Sequence, residues 1–261
     1  MKSLEVYAYR TPLKNWHPIE KIVFAIFPLI LSIILQNTFT SLFVLLMMTF
    51  NILVIGKIPF KFYLKLLLVP VAFLLSSIAM ILLTFTTTPV IGEGLLQYQF
   101  GPIYVTILEA STKRAMTLFS VALSSVSCLY FLILTTTIQD ILIGLDRCKV
   151  PTILLDLIGL TYRFIFIFID SGRTIYLAQM SRLGNVTFLK HLKSFGLLIS
   201  ALLVKVLYEV RELNNAVNSR SMNGYIIFIN QHFNFHKTRW LLISFVVISI
   251  ITFHFTIGRV V

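Results

Sequence analysis

Residues 22–56 read IVFAIFPLILSIILQNTFTSLFVLLMMTFNILVIG, a stretch without one charged side chain. A bilayer core takes roughly 20 residues of helix to cross, so this run is too long for a single span. Its one polar break, Gln36-Asn37-Thr38, divides it into two expected spans, 20–36 and 39–56, joined by a tight turn. Downstream, a third apolar run covers 66–86, preceded by Lys57, Lys61 and Lys65 and closed by Thr86-Thr87-Thr88-Pro89. Residues 89–112, which hold Pro89, Gly92, Gly94, Gly101 and Pro102, are expected to form an irregular loop or re-entrant segment. A fourth run occupies 115–137, and a fifth, 240–257, follows Lys237 and Arg239.

The whole chain agrees with that start. Of 261 residues, 57% are hydrophobic and 12% charged, against about 25% charged in a soluble domain. So little polar surface could not cover a globule of this size, which excludes a soluble enzyme, a disordered tail, a coiled coil and a secreted disulfide scaffold. The only cysteines are Cys128 and Cys148, too few for a disulfide framework or a four-thiolate zinc site, and both are read as packing residues. No cleavable signal peptide is expected, because 1–20 is polar and of mixed charge.

Net charge is +12, from 22 Lys+Arg against 10 Asp+Glu. In a polytopic membrane protein such an excess marks cytoplasmic flanks. Nucleic acid is not an expected partner, since the basic residues do not gather with aromatics in a polar domain. Arg10, Lys14 and Lys21 before the first span, and Lys57, Lys61 and Lys65 between the second and third, place the N-terminus inside and the 87–112 loop outside. Lys113 and Arg114 then fall on the outer side, against the rule.

Residues 138–239 differ in character. Lys and Arg outnumber Asp and Glu two to one over 144–226, yet apolar residues recur with helical period. Ile199, Leu202, Leu203, Val206, Val210, Leu213 and Val217 recur at three and four residues, on one helix face. Lys205 and Glu209 make an i,i+4 pair on another face. An earlier helix is expected over 152–183, stopped by Gly184-Asn185, and the later one is stopped by Asn223-Gly224. A helix of about 30 residues is about 45 Å long, enough to run beneath a bundle. Two such helices make a docking platform rather than a catalytic domain.

Chemical sites are sparse. The run from Gly184 to Lys190 and His191, and the loop around Gly92 and Gly94, lack the second glycine and Lys-Ser/Thr end of a phosphate loop. No Ser/His/Asp order or paired-carboxylate spacing stands out, so ATP hydrolysis and other catalysis are not expected of this chain. His232 and His236, four apart, read as an interfacial pair before a metal site; His17 reads as an interfacial anchor; His254, inside an apolar helix, could ligate or reach the headgroups. Arg182 closes the first amphipathic helix and Arg220 the second. A guanidinium has five donors in a fixed fork and suits carboxylates or helix-end carbonyls on a partner. The same placement also compensates the helix dipole, worth about 0.3–1 kcal/mol.

Ordered motifs along nearly the whole chain carry a resemblance. They are Tyr7-Ala8-Tyr9-Arg10-Thr11-Pro12-Leu13 with His17-Pro18 and Lys21; Leu145 through Val150-Pro151, then Asp156-Leu157 and Leu160-Thr161-Tyr162-Arg163; and Asp170, Arg173 and Ala178-Gln179 leading to Ser181-Arg182-Leu183, with Ser219-Arg220-Ser221 later. In these the chain resembles the transmembrane component of energy-coupling factor (ECF) importers, the CbiQ/EcfT family, and most of all its cobalt-type subunit. The two serine-flanked arginines stand in the places of the family's two Ala-Arg-Gly-like motifs. Serine replaces both alanines, and the first glycine is displaced by Leu183 to Gly184.

The resemblance implies a four-part machine: this subunit, two ABC-type ATPases, and a substrate-binding S component, in a bacterial or archaeal cell membrane. Arg182, Arg220, Ser181, Ser219, Ser221 and Gly184 would form the ATPase-coupling contacts. ATP and magnesium would be bound by the ATPases, and no cofactor or metal by this chain. Cobalt or nickel is the implied solute, with a vitamin or other micronutrient next.

The expected architecture is therefore an all-α integral membrane protein of about five spans. Its parts are residues 1–137 with four spans, a cytoplasmic coupling domain at 138–236, and a last span at 237–261. The alternative is a self-sufficient secondary transporter or channel, but such a protein would place ionisable groups inside its spans or show an internal repeat. Beyond Glu20 and Lys21 at the start of the first, spans one to four offer essentially only Ser, Thr and Asn51, and no repeat is evident. A membrane enzyme would need an acidic or histidine cluster that the scattered carboxylates do not supply.

Overall fold

The computed structural model describes residues 7–82, 84–86, 94–100, 103–182, 184, 186–219 and 237–257. The chain divides into two compact units, Met1–Ile141 with His232–Val261, and Leu142–Gln231.

In the first unit, α1 (Pro18–Leu35) begins where His17 Nδ1 accepts the Ile19 N–H at 3.2 Å and Pro18 takes the first helical position. It ends at Gln36, held left-handed at φ 42°. Asn37 then caps α2 (Thr38–Phe50), its Oδ1 accepting the Phe39 N–H at 3.0 Å. The polar break between the first two spans is thus one residue that stops a helix and one that starts the next. From Phe50, α2 widens into a π turn, Asn51–Ile55, where Asn51 Nδ2 donates to the Met47 carbonyl at 2.8 Å. A Cβ on Gly56 would lie 2.5 Å from the Ile52 carbonyl oxygen, so only glycine fits the close of that turn.

Helix α3 (Phe60–Leu82) follows. Residues 89–112, expected to be irregular or re-entrant, instead contain strands. β1 (Thr84–Thr86), β2 (Gly94–Phe100) and β3 (Ile103–Leu108) form an antiparallel sheet in the order β1-β3-β2, with Tyr98 opposite Val105 and Phe85 opposite the same residue. The cause is a β-rich run, Ile103-Tyr104-Val105-Thr106-Ile107, that the surrounding glycines and prolines obscured. Helix α4 (Glu109–Thr135) starts six residues before the expected span at 115. Lys113, which broke the charge rule, is paired with Glu109 at 2.9 Å across that first turn, both side chains exposed.

The remaining helices are α5 (Ile138–Arg147), α6 (Thr152–Ser181), α7 (Phe188–Ser219) and α8 (Lys237–Ile257). The fold is all-α apart from the small sheet. Among the described residues, six helices are long and apolar enough to cross a membrane by length and composition; the one beyond the five expected spans is α6, in the segment expected to be cytoplasmic. It is a multi-pass membrane protein.

Helix α4 is the centre of the first unit, packed by α1, α2 and α3, while α8 lies against α1 and α2. Ser120, Ser124 and Ser127 let neighbouring backbones approach α4 closely, as small residues do in membrane bundles. Phe24 meets Phe131 with ring centroids 5.1 Å apart, and Phe43 stacks on Phe253 at 4.6 Å. Between helices run hydroxyl pairs: Ser32 to Ser124 at 2.6 Å, Ser32 to Ser41 at 3.2 Å, and Tyr63 to Ser127 at 2.9 Å.

In the second unit α6 and α7 pack together, with Gly172 facing Leu202, where an added Cβ would sit 3.5 Å from the leucine Cδ1. Leu202 is buried and Val206, Leu213 and Val217 are half-buried, whereas Ile199, Leu203 and Val210 of the expected apolar face stay exposed. Lys205 and Glu209 do not form the ion pair their spacing allows.

Candidate coupling site

Helix α6 ends in a defined way. The Arg182 N–H bonds to the Gln179 carbonyl at 3.2 Å, and the Gly184 N–H returns to the same carbonyl at 3.0 Å. The bond from Gly184 reaches five residues back, the long closure of a Schellman-type helix end. Ser181 turns its hydroxyl inward, Oγ donating to Leu177 O at 3.0 Å. The Arg182 side chain is exposed and has no ion-pair partner among the described residues. The tip therefore presents the exposed Arg182 cation, without an ion-pair partner among the described residues, on a short, backbone-closed turn.

Gly184 is the hinge point of that tip in a steric sense. A Cβ there would stand 2.8 Å from Ser194 Oγ and 2.9 Å from the Gln179 carbonyl oxygen. Ser194, in the second turn of α7, donates to the Gly184 carbonyl at 2.9 Å. That hydroxyl ties the turn back to α7 and thereby sets where Arg182 emerges. Sequence reasoning missed Ser194, since nothing local distinguishes it from other serines in a helix.

The second arginine motif is only partly placed. Ser219 is the last residue of α7, exposed, with its Oγ donating to the Asn215 carbonyl at 2.8 Å. Arg220 and Ser221 lie outside the described residues, as do Leu183, Asn185, the Asn223-Gly224 stop, His232 and the side chain of His236.

Of the described histidines His191 is exposed, whereas His17 and His254 are packed. His17 is buried as the cap of α1 rather than anchoring at an interface. His254 Nδ1 lies 3.2 Å from Thr40 Oγ1, which joins α8 to α2. Cys128 is buried, but Cys148 is exposed in the turn after α5, not a packing residue. Among the described residues no three His, Cys, Asp or Glu side chains gather as a metal would need.

Two ion pairs that no sequence pattern announced sit at the first turn of α1. Lys21 Nζ is 3.2 Å from Asp140 Oδ2, and Glu20 Oε2 is 3.5 Å from an Arg239 guanidinium nitrogen. The Arg239 guanidinium also lies 5.0 Å from the centroid of the Trp16 ring. Asp140 and Thr137 cap α5 reciprocally: the Asp140 N–H donates to Thr137 Oγ1 at 3.2 Å, and the Thr137 N–H to Asp140 Oδ2 at 3.4 Å.

A family model described as cobalt transport protein, CbiQ, matches residues 10–230. A fused cobalt transport protein, CbiMQ, of Methanocorpusculum labreanum is 30% identical over 222 residues, 85% of this chain and 36% of the relative. The chain thus spans about a third of that relative's length. A cobalt transport protein CbiQ of Rhodobacter capsulatus is 32% identical over 149 residues, 57% of this chain and 60% of the relative. The CbiQ of Salmonella typhimurium is 25% identical over 157 residues, 60% and 68%.

Proposed function

From the premise that the chain belongs to the CbiQ cobalt transport protein family, we propose that it is the transmembrane coupling subunit of an ATP-driven ECF-type importer. Two partner ABC ATPases bind ATP and magnesium and hydrolyse the nucleotide. This chain passes their movement to a substrate-binding membrane subunit that takes up cobalt or nickel ions. The N-terminus and the 138–236 segment face the cytoplasm, where the ATPases are.

The observation that carries this reading is Arg182. It stands exposed, without an ion-pair partner among the described residues, at the end of a 30-residue helix, on a turn closed by Gly184 and tied by Ser194. An exposed guanidinium on such a tip is what a carboxylate-lined or carbonyl-lined socket on a partner would receive, and its five donors fix direction as well as charge. Arg220, after Ser219, would fill the corresponding socket on the second ATPase. The fused relative, whose name joins CbiQ with a second component, supports a membrane complex rather than a lone transporter.

The test is co-purification. The doubly reversed variant Arg182→Glu with Arg220→Glu is expected to insert normally and to lose both ATPases in mild detergent. A complex that survives the double reversal, with uptake intact, overturns the reading.

A further inference from the structure

The chain leaves the first unit after Ile141 and re-enters it at His232, and each passage is held by a charged pair. On the way out, Asp140 in the first turn of α5 meets Lys21. On the way back, Arg239 in the first turn of α8 meets Glu20. The pairs bridge 119 and 219 residues of sequence, yet their α1 partners are consecutive. Glu20 is 0% exposed, Lys21 1% and Asp140 6%.

Such burial is poorly explained by stability. The desolvation cost of a buried ion pair commonly equals or exceeds its attraction, and apolar replacement of both partners is often neutral. What the pairs do supply is position, because a buried charge has only one place where it is compensated. We propose that Glu20 and Lys21 are positioning residues forming a double clamp. They hold both junctions of the Arg-bearing segment to the first turn of α1, so that movement of that segment is delivered to the membrane helices instead of being absorbed at its ends. Thr137, through its reciprocal cap with Asp140, stiffens the outgoing junction, and the Trp16 ring beneath Arg239 does so for the returning one. This inference rests on the coupling function proposed above.

The experiment uses the complete complex in proteoliposomes, with cobalt(II) as the transported probe, and reads cobalt accumulated per ATP hydrolysed. Lys21→Met with Asp140→Asn removes both buried charges while keeping an acceptor for the Thr137 N–H; Glu20→Gln with Arg239→Gln does the same at the other junction. Either double variant is expected to retain its ATPases and hydrolysis within about twofold and to lose roughly tenfold in the uptake ratio, the scale of coupling carried by structural networks. Wild-type ratios in both variants overturn the clamp. Should the wild-type chain fail to retain ATPases or to move cobalt, it is the coupling function that falls. Amide hydrogen exchange on the isolated subunit then decides the clamp: exchange over 138–147 is expected to rise about tenfold in Lys21→Met with Asp140→Asn while α2 is unchanged. Unchanged exchange over 138–147 overturns it.

Discussion

Lys21 and Asp140 form a buried ion pair, 3.2 Å from Nζ to Oδ2, that fastens the start of α5 to the first turn of α1. Breaking one side leaves an uncompensated charge in a dry site, whereas removing both leaves none. Lys21→Met or Asp140→Leu alone is therefore expected to destabilise the detergent-solubilised subunit by about 3–5 kcal/mol, and Lys21→Met with Asp140→Asn by much less. Thermal unfolding of the singles and the double checks this; equal losses in all three would contradict it.

Gly184 has no room for a side chain. Gly184→Ala is expected to open the turn that carries Arg182, exposing the Arg182–Leu183 bond to faster tryptic cleavage. Adding Ser194→Ala should not restore resistance, because the Gln179 backbone carbonyl, 2.9 Å from the new Cβ, cannot move away. Recovery in the double variant would show that the serine alone sets the limit.

Arg182→Lys keeps the charge and loses the planar fork. If the tip seats in a socket of oxygens, ATPase affinity should fall about tenfold, or 1.4 kcal/mol, with the subunit's own melting temperature unchanged. Titration of detergent-solubilised subunit with the ATPases measures it.

The Ser32, Ser41 and Ser124 hydroxyls meet where α1, α2 and α4 converge. Ser32→Ala is expected to cost about 0.6 kcal/mol, the average for membrane helix hydrogen bonds, and no more than about 1.7 kcal/mol. Ser124→Leu should cost more, since α4 carries serine where its neighbours come closest. Unfolding of the two variants side by side distinguishes lost bonding from overpacking.

His254 bonds to Thr40 and so joins α8 to α2. His254→Phe is expected to leave cobalt(II) uptake by the assembled complex unchanged and to shift stability by about 1 kcal/mol. A loss of uptake at constant assembly would assign the ring a place on the ion's path.

Much of the membrane architecture was legible before any coordinates. Residues 22–56 had to be two helices because a bilayer has one thickness and the run had twice the length, and Gln36 and Asn37 could be recognised as the break because polar residues there had no other use. The end of α6 at the Arg182 tip was also readable, from Gly184; the period of α7 was not a guide to its sides, since Ile199, Leu203 and Val210 of its apolar face stay exposed. The strands of 94–108 were not, because glycines and prolines on either side read as loop while a short β-rich run carries little weight against them.

What the sequence determined alone was what is additive along the chain: that several helices are apolar enough to cross, where charge is excluded from them, and that Arg182 stands at a helix end. Hydropathy and period are sums over neighbours, so they need no folded partner. Only the tertiary structure decided that Glu20 and Lys21, charges at the start of the first span, are buried and paired with Arg239 and Asp140, and that His254 bonds to Thr40. A charge becomes buried or exposed according to what lies within a few ångströms of it, and for these residues those neighbours come from 119 and 219 positions away.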